Sequence, residues 1–204
     1  MRPPRLKPKA AFLHVINDHR WLVAGGCSWN LLMANNGKND VRTTADALLP
    51  DVVVAVRDCV LLQARSLIDF YTKCHARETD ILLCDFNGLS IEPALKDALE
   101  GYKQSIEVHL LHLTAWRDLD YRTKHATGQY ANATRRNSNE EVAPLAASIL
   151  AALKCAAEKS SRWNKPFTDL YEASLSRYQN KSFDWPPYLG EKLAVVQYLD
   201  KCGL

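Results

Sequence analysis

Apolar residues in this chain recur at three- and four-residue intervals and do not alternate over strand-length stretches, so the pattern predicts an all-α chain. One seam runs through Val53, Val56, Val60, Ala64, Leu67 and Tyr71. It marks a helix over residues 51–73, with Pro50 suited to a first helical position. A second seam, through Leu95, Leu99, Tyr102, Ile106, His109, Leu113 and Trp116, predicts a helix over 90–121, with Ser90 as its cap and Pro93 in its first turn. A third helix follows over 138–163 on Val142, Leu145, Ile149, Leu153, Ala156 and Trp163. Ser138 and Glu141 have capping-box spacing at its start, although Pro144 offers an alternative first turn. Shorter helices over 167–178 and 189–201 complete the expectation: a helical bundle around three long helices with shorter C-terminal helices.

The segments between these seams set the expected organisation. Residues 1–42 read as a basic N-terminal arm with room for a short helix, and residues 43–204 as a single helical-bundle domain. Within the arm, residues 1–19 are rich in proline and basic side chains and are expected to be an extended tail with an apolar patch. Residues 21–34 are apolar but contain Gly25 and Gly26, each costly inside a helix. Residues 35–42 and 75–88 read as connections, the latter with one short turn over 81–86. Residues 122–139 read as an exposed, mobile and basic loop.

Composition narrows the function classes modestly. At 204 residues the chain can bury one substantial core, and a net charge of +3 does not make the whole molecule a polyanion binder. Cys27, Cys59, Cys74, Cys84, Cys155 and Cys202 include no C-x-x-C pair, which argues against a zinc ribbon. They are expected to be free, mostly buried thiols in a reducing compartment. No apolar stretch is long enough for a membrane span. The basic N-terminus lacks an uninterrupted apolar run, because Asn17, Asp18 and His19 break it. A cytoplasmic protein with no membrane partner is the expectation.

Two helices carry the candidate chemistry. Arg65 and Asp69 lie four apart on one face of the first long helix, with Asp58 two turns earlier on the same side. On the second, His109 and His112 point the same way and Arg117 follows about a turn and a half later. If these helices pack antiparallel, Arg65, Asp69, His109, His112 and Arg117 can meet at their junction. A carboxylate beside an imidazole would then raise its pKa toward neutrality, for acid–base work or for holding a phosphate. The plainer reading makes Arg65 and Asp69 a helix-surface pair, His109 a core histidine with one hydrogen bond, and Arg117 a charge that favours the helix C-terminal dipole. A metal could use His109 and His112 with Asp69 or Asp120, but no H-E-x-x-H or E-x-x-H motif is present, so no metal or cofactor is expected.

The stretch Ala64-Arg65-Ser66-Leu67-Ile68-Asp69-Phe70, followed by Ile106-x-x-His109-x-x-His112-Leu113-Thr114-x-x-Arg117, resembles a group of uncharacterised bacterial helical proteins related to the HEPN superfamily. The resemblance covers about residues 50–160. It implies a helical bundle, a homodimer, and metal-independent ribonuclease activity or RNA binding in defence or stress response, with RNA or an antitoxin-like protein as partner. His112 would serve as the base for a 2′-hydroxyl and Arg117 as the cation for the strained phosphate, beside Asp69, Arg65 and His109. The superfamily's arginine, four to six residues and then histidine does not occur in this chain. The alternative is a non-enzymatic helical interaction or scaffold module, in which the same residues hold helices in register.

Overall fold

A computed structural model describes residues 8–36, 45–73, 80–107, 138–159, 161–180 and 185–204. The described residues form an all-α structure: α1 (Pro8–Asn36), α2 (Ala45–Thr72), α3 (Pro93–Ile106), α4 (Ser138–Glu158), α5 (Asn164–Asn180) and α6 (Lys192–Lys201). Short 3₁₀ turns at Leu83–Asp85 and Pro187–Leu189 precede α3 and α6. The expected bundle of helices is present, but its long members differ from expectation. Of the second predicted long helix, α3 covers Pro93–Ile106, and its expected continuation over residues 108–121 lies outside the described residues. The expected basic loop falls almost wholly outside the described residues.

The longest helix, 29 residues, comes from the segment read as an arm. Its residues Ala11, Phe12, Val15, Ile16, Leu22 and Trp29 are buried in the main core, so the extended-tail expectation fails from Pro8 onward. The reason is close packing. A Cβ on Gly25 would lie 2.5 Å from Val60 Cγ2, and one on Gly26 would lie 3.1 Å from the Tyr178 ring. The two glycines therefore let α1 approach α2 and α5 more closely than side chains would allow, which offsets their helix cost of about 1 kcal/mol each.

The predicted seams supply the core. Val60, Ala64, Leu67 and Tyr71 of α2, Leu99 and Ile106 of α3, and Val142, Leu145, Ile149, Leu153 and Ala156 of α4 are all buried in one cluster. At its centre Phe86 packs edge-on against Trp163 with ring centroids 4.9 Å apart, and against Phe167 at 5.5 Å and Phe12 at 6.0 Å. Phe86 reaches this site because Leu83–Asp85 closes a turn in which the Asp85 carboxylate accepts the Leu82 N–H at 3.0 Å. Asn87 and Gly88, at φ 63° and 72°, then redirect the chain toward α3.

Helix ends follow local chemistry in part. Pro93 occupies the first position of α3, but Glu92 rather than Ser90 precedes it as cap, without a side-chain capping bond. α4 starts at Ser138 and runs through Pro144, whose ring is exposed; the Ser148 hydroxyl donates to the Pro144 carbonyl at 2.9 Å. α2 begins at Ala45, so Pro50 is not its first residue. Asn164 donates to the carbonyls of Ala157 and Lys159, satisfying groups left open at the end of α4.

Of the cysteines, Cys27, Cys59, Cys84, Cys155 and Cys202 are free, with Cys59 and Cys84 exposed rather than buried as expected, while Cys74 lies outside the described residues. Among the described residues no helix is long and apolar enough to cross a membrane.

Candidate functional site, a cleft beside an ion-pair seam

Arg65, Asp69 and Lys73 follow one another at four-residue spacing, so all three lie on one side of α2 and the residue that follows its last turn. α3 supplies the matching set. Lys103 Nζ lies 2.9 Å from Asp69 Oδ1, Arg65 Nη2 donates to Glu107 Oε1 at 3.3 Å, and the Thr72 hydroxyl donates to Glu100. Position falls along α2 as it rises along α3, from Thr72 with Glu100 through Asp69 with Lys103 to Arg65 with Glu107. The helices are therefore antiparallel, as the sequence predicts, and these pairs define their register.

Asp69 is the centre of this seam. Lys73 Nζ reaches its Oδ2 at 2.8 Å and Arg65 Nη1 reaches the same oxygen at 3.7 Å, so both carboxylate oxygens face cations. Burial alone would push its pKa up, but the hydrogen bonds and charges of Lys73 and Lys103 outweigh it and hold the carboxyl below the ordinary aspartate range. Lys73 is raised in turn, chiefly by its bond to Asp69, and also donates to Asp80 at 3.4 Å. The buried Arg65 Nε has no acceptor among the described residues.

Next to the seam, α1, α2 and the residues before Leu83 enclose a cleft of about 510 Å³. Its polar lining comes from His14, Asp18, Arg65, Ser66, Asp69, Lys73 and Asp80. Val15, Leu62, Phe70 and Ile81 are among its apolar lining. Ser66 Oγ donates to Asp18 Oδ2 at 3.0 Å. Burial pushes the Asp18 carboxyl up, with the Ser66 bond and the nearby His14 opposing that shift.

The sequence-predicted residues thus divide. Arg65 and Asp69 come together and line the cleft, whereas Asp58 is ion-paired with its neighbour Arg57 at 2.8 Å and is not among the lining residues. His109, His112, Arg117 and Asp120 lie outside the described residues. No group of histidine, cysteine and acidic side chains that could hold a metal occurs among the described residues.

Sequence reasoning missed Lys73, Lys103, Glu107 and the α1 side of the cleft. A local signal existed for some of them: Asp69 before Lys73, and Lys103 before Glu107, both have i,i+4 spacing of opposite charges. It also treated His19 as a polar interruption. The structure buries His19 completely, with Nε2 sharing a hydrogen bond with Tyr71 Oη at 2.8 Å, and burial pushes its pKa down to about 3.

Fold and site together define an all-α bundle with a mixed polar and apolar cleft braced by an interhelical ion-pair seam. The chain matches no family model, no curated protein and no solved structure.

Proposed function

We propose that this chain is a non-enzymatic helical interaction module, with the α1–α2 cleft as its binding surface and the α2–α3 ion pairs as the brace that keeps that surface in shape. The state of Asp69 carries this reading: the Lys73 and Lys103 ammonium groups lie within ion-pair distance of its two oxygens, at 2.8 Å and 2.9 Å. A carboxylate so compensated, with its pKa depressed, is a weak base and has little reason to take up an imidazole N–H near neutral pH. Its work is to join two helices.

A second reading, HEPN-like RNA-directed activity in a cytoplasmic defence or stress setting, has one observation in its favour. Arg65, Ser66, Leu67, Asp69 and Phe70, from the stretch that resembles those proteins, all line the cleft. The electrostatics favour it less. Three lining carboxylates, Asp18, Asp69 and Asp80, face two permanent cations, Arg65 and Lys73, and a phosphodiester gains little from such a balance.

Incubating the full chain with labelled RNA, in parallel with a His112→Ala/Arg117→Ala variant, separates the readings. The module reading expects no cleavage by either protein and a lower melting temperature for Asp69→Asn. Cleavage by the natural chain that disappears in the double variant, with melting unchanged, would establish the RNA-directed reading instead.

A further inference from the structure

We propose that the α1–α2 cleft takes a small organic cation, a primary amine carried on an apolar body, with the Asp18 carboxylate as its counter-ion. The inference rests on the reading of this cleft as a binding surface. It starts from an inequality among the three lining carboxylates. Asp69 is paired with Lys73 and Lys103, and Asp80 with Lys73 at 3.4 Å. Asp18 has no lysine or arginine within ion-pair distance among the described residues; its hydrogen-bond donor is the neutral hydroxyl of Ser66. His14, one turn earlier on α1, contributes opposite charge only when protonated.

The remaining charges do not repair this imbalance. Arg65 is drawn to Asp69 and Glu107, and Lys73 to Asp69 and Asp80, so both permanent cations of the cleft are already engaged. An anionic ligand would meet surplus negative charge, and a neutral one would leave a partly buried carboxylate uncompensated. An ammonium group supplies both the missing charge and charge-assisted hydrogen bonds. The upward push of burial on the Asp18 carboxyl agrees with such a deficit.

The apolar lining defines the rest of the ligand. Val15, Leu62, Phe70 and Ile81 offer hydrocarbon surface within a volume of about 510 Å³, inside the range of small-molecule sites. Leu62 is 48% exposed, apolar surface available for a ligand to cover.

The test is calorimetric titration of the full chain at neutral pH with phenethylamine and with 3-phenylpropionate, which places an anion on a similar body. Phenethylamine is expected to bind at least about tenfold more tightly than phenylpropionate, and about tenfold or more weakly to Asp18→Asn than to the natural chain. Leu62→Arg, at an exposed position that leaves the core intact, is expected to weaken the amine by a similar factor and to favour phenylpropionate. Equal amine affinity in the natural chain and either variant, or no amine binding at all, overturns the assignment. Tight phenylpropionate binding to the natural chain sinks the amine class while leaving the cleft a binding surface; the RNA experiment above judges the module reading separately.

Discussion

Two neighbouring positions of α2, Asp69 and Tyr71, meet opposite environments. Tyr71 points into the protein, where its hydroxyl bonds to a histidine with no exposed surface. Asp69 keeps 15% of its side-chain surface exposed and is surrounded by ammonium and guanidinium groups. On the buried side, polar atoms are neutral and one hydrogen bond is shared between two rings. On the other, full charges compensate one another beside a cleft. The buried face therefore carries most of the stability, and the charged face sets the register of α2 against α3.

The comparison breaks most severely at the buried face. Phe86→Ala removes a ring that contacts Phe12, Phe70, Trp163 and Phe167, and is expected to cost about 3–5 kcal/mol in urea unfolding. A loss below about 1 kcal/mol would deny this cluster its central place. Phe70 also lines the cleft, so collapse here should alter the shape of the cleft as well.

Acid sharpens the contrast next. The His19 pKa falls from 6.5 to about 3 on folding, so the folded state refuses a proton that the unfolded chain accepts. Its stabilising contribution is full above pH 6.5 and is lost as pH falls toward about 3. The slope should approach about 1.4 kcal/mol per pH unit in that window and disappear in His19→Gln. Asp69, lowered from 3.8, acts in the same direction but only below that value, whereas Asp18, raised from 3.8, loses stabilisation as pH rises through its folded value. A denaturation series across pH distinguishes the buried histidine from the carboxylates by window.

Smaller effects are expected where helices meet. Gly25→Ala should destabilise by about 1–3 kcal/mol because the new methyl meets Val60 at 2.5 Å, although helix propensity alone would favour alanine by about 1 kcal/mol. A stabilised variant in thermal melts would refute the close approach. Asp69→Asn should cost about 1–2 kcal/mol, with a coupling to Lys103→Met of about 0.5–1 kcal/mol in a double-mutant cycle. Zero coupling would leave the charged seam without an energetic role.

Much of the bundle can be recognised from the order of residues, because helical period is a property of a short window. The seams of α2, α3 and α4 are examples, as are the four-residue spacings of Arg65, Asp69 and Lys73. The errors have the same origin. Gly25 and Gly26 look like helix breakers until the groups lying across from them are known, and Asn17, Asp18 and His19 look like one polar run although the fold exposes Asn17, half-buries Asp18 and buries His19.

The chain by itself determined that apolar faces would form helices and that oppositely charged residues one turn apart would be neighbours. The tertiary structure alone decided that Asp69 meets Lys103, that Asp18 faces the cleft with no lysine or arginine within ion-pair distance among the described residues, and that α1 lies close enough to exclude a side chain at Gly25. Local spacing fixes directions around one helix axis, whereas partnership between helices depends on their relative height and rotation. Those are settled by packing the whole core at once.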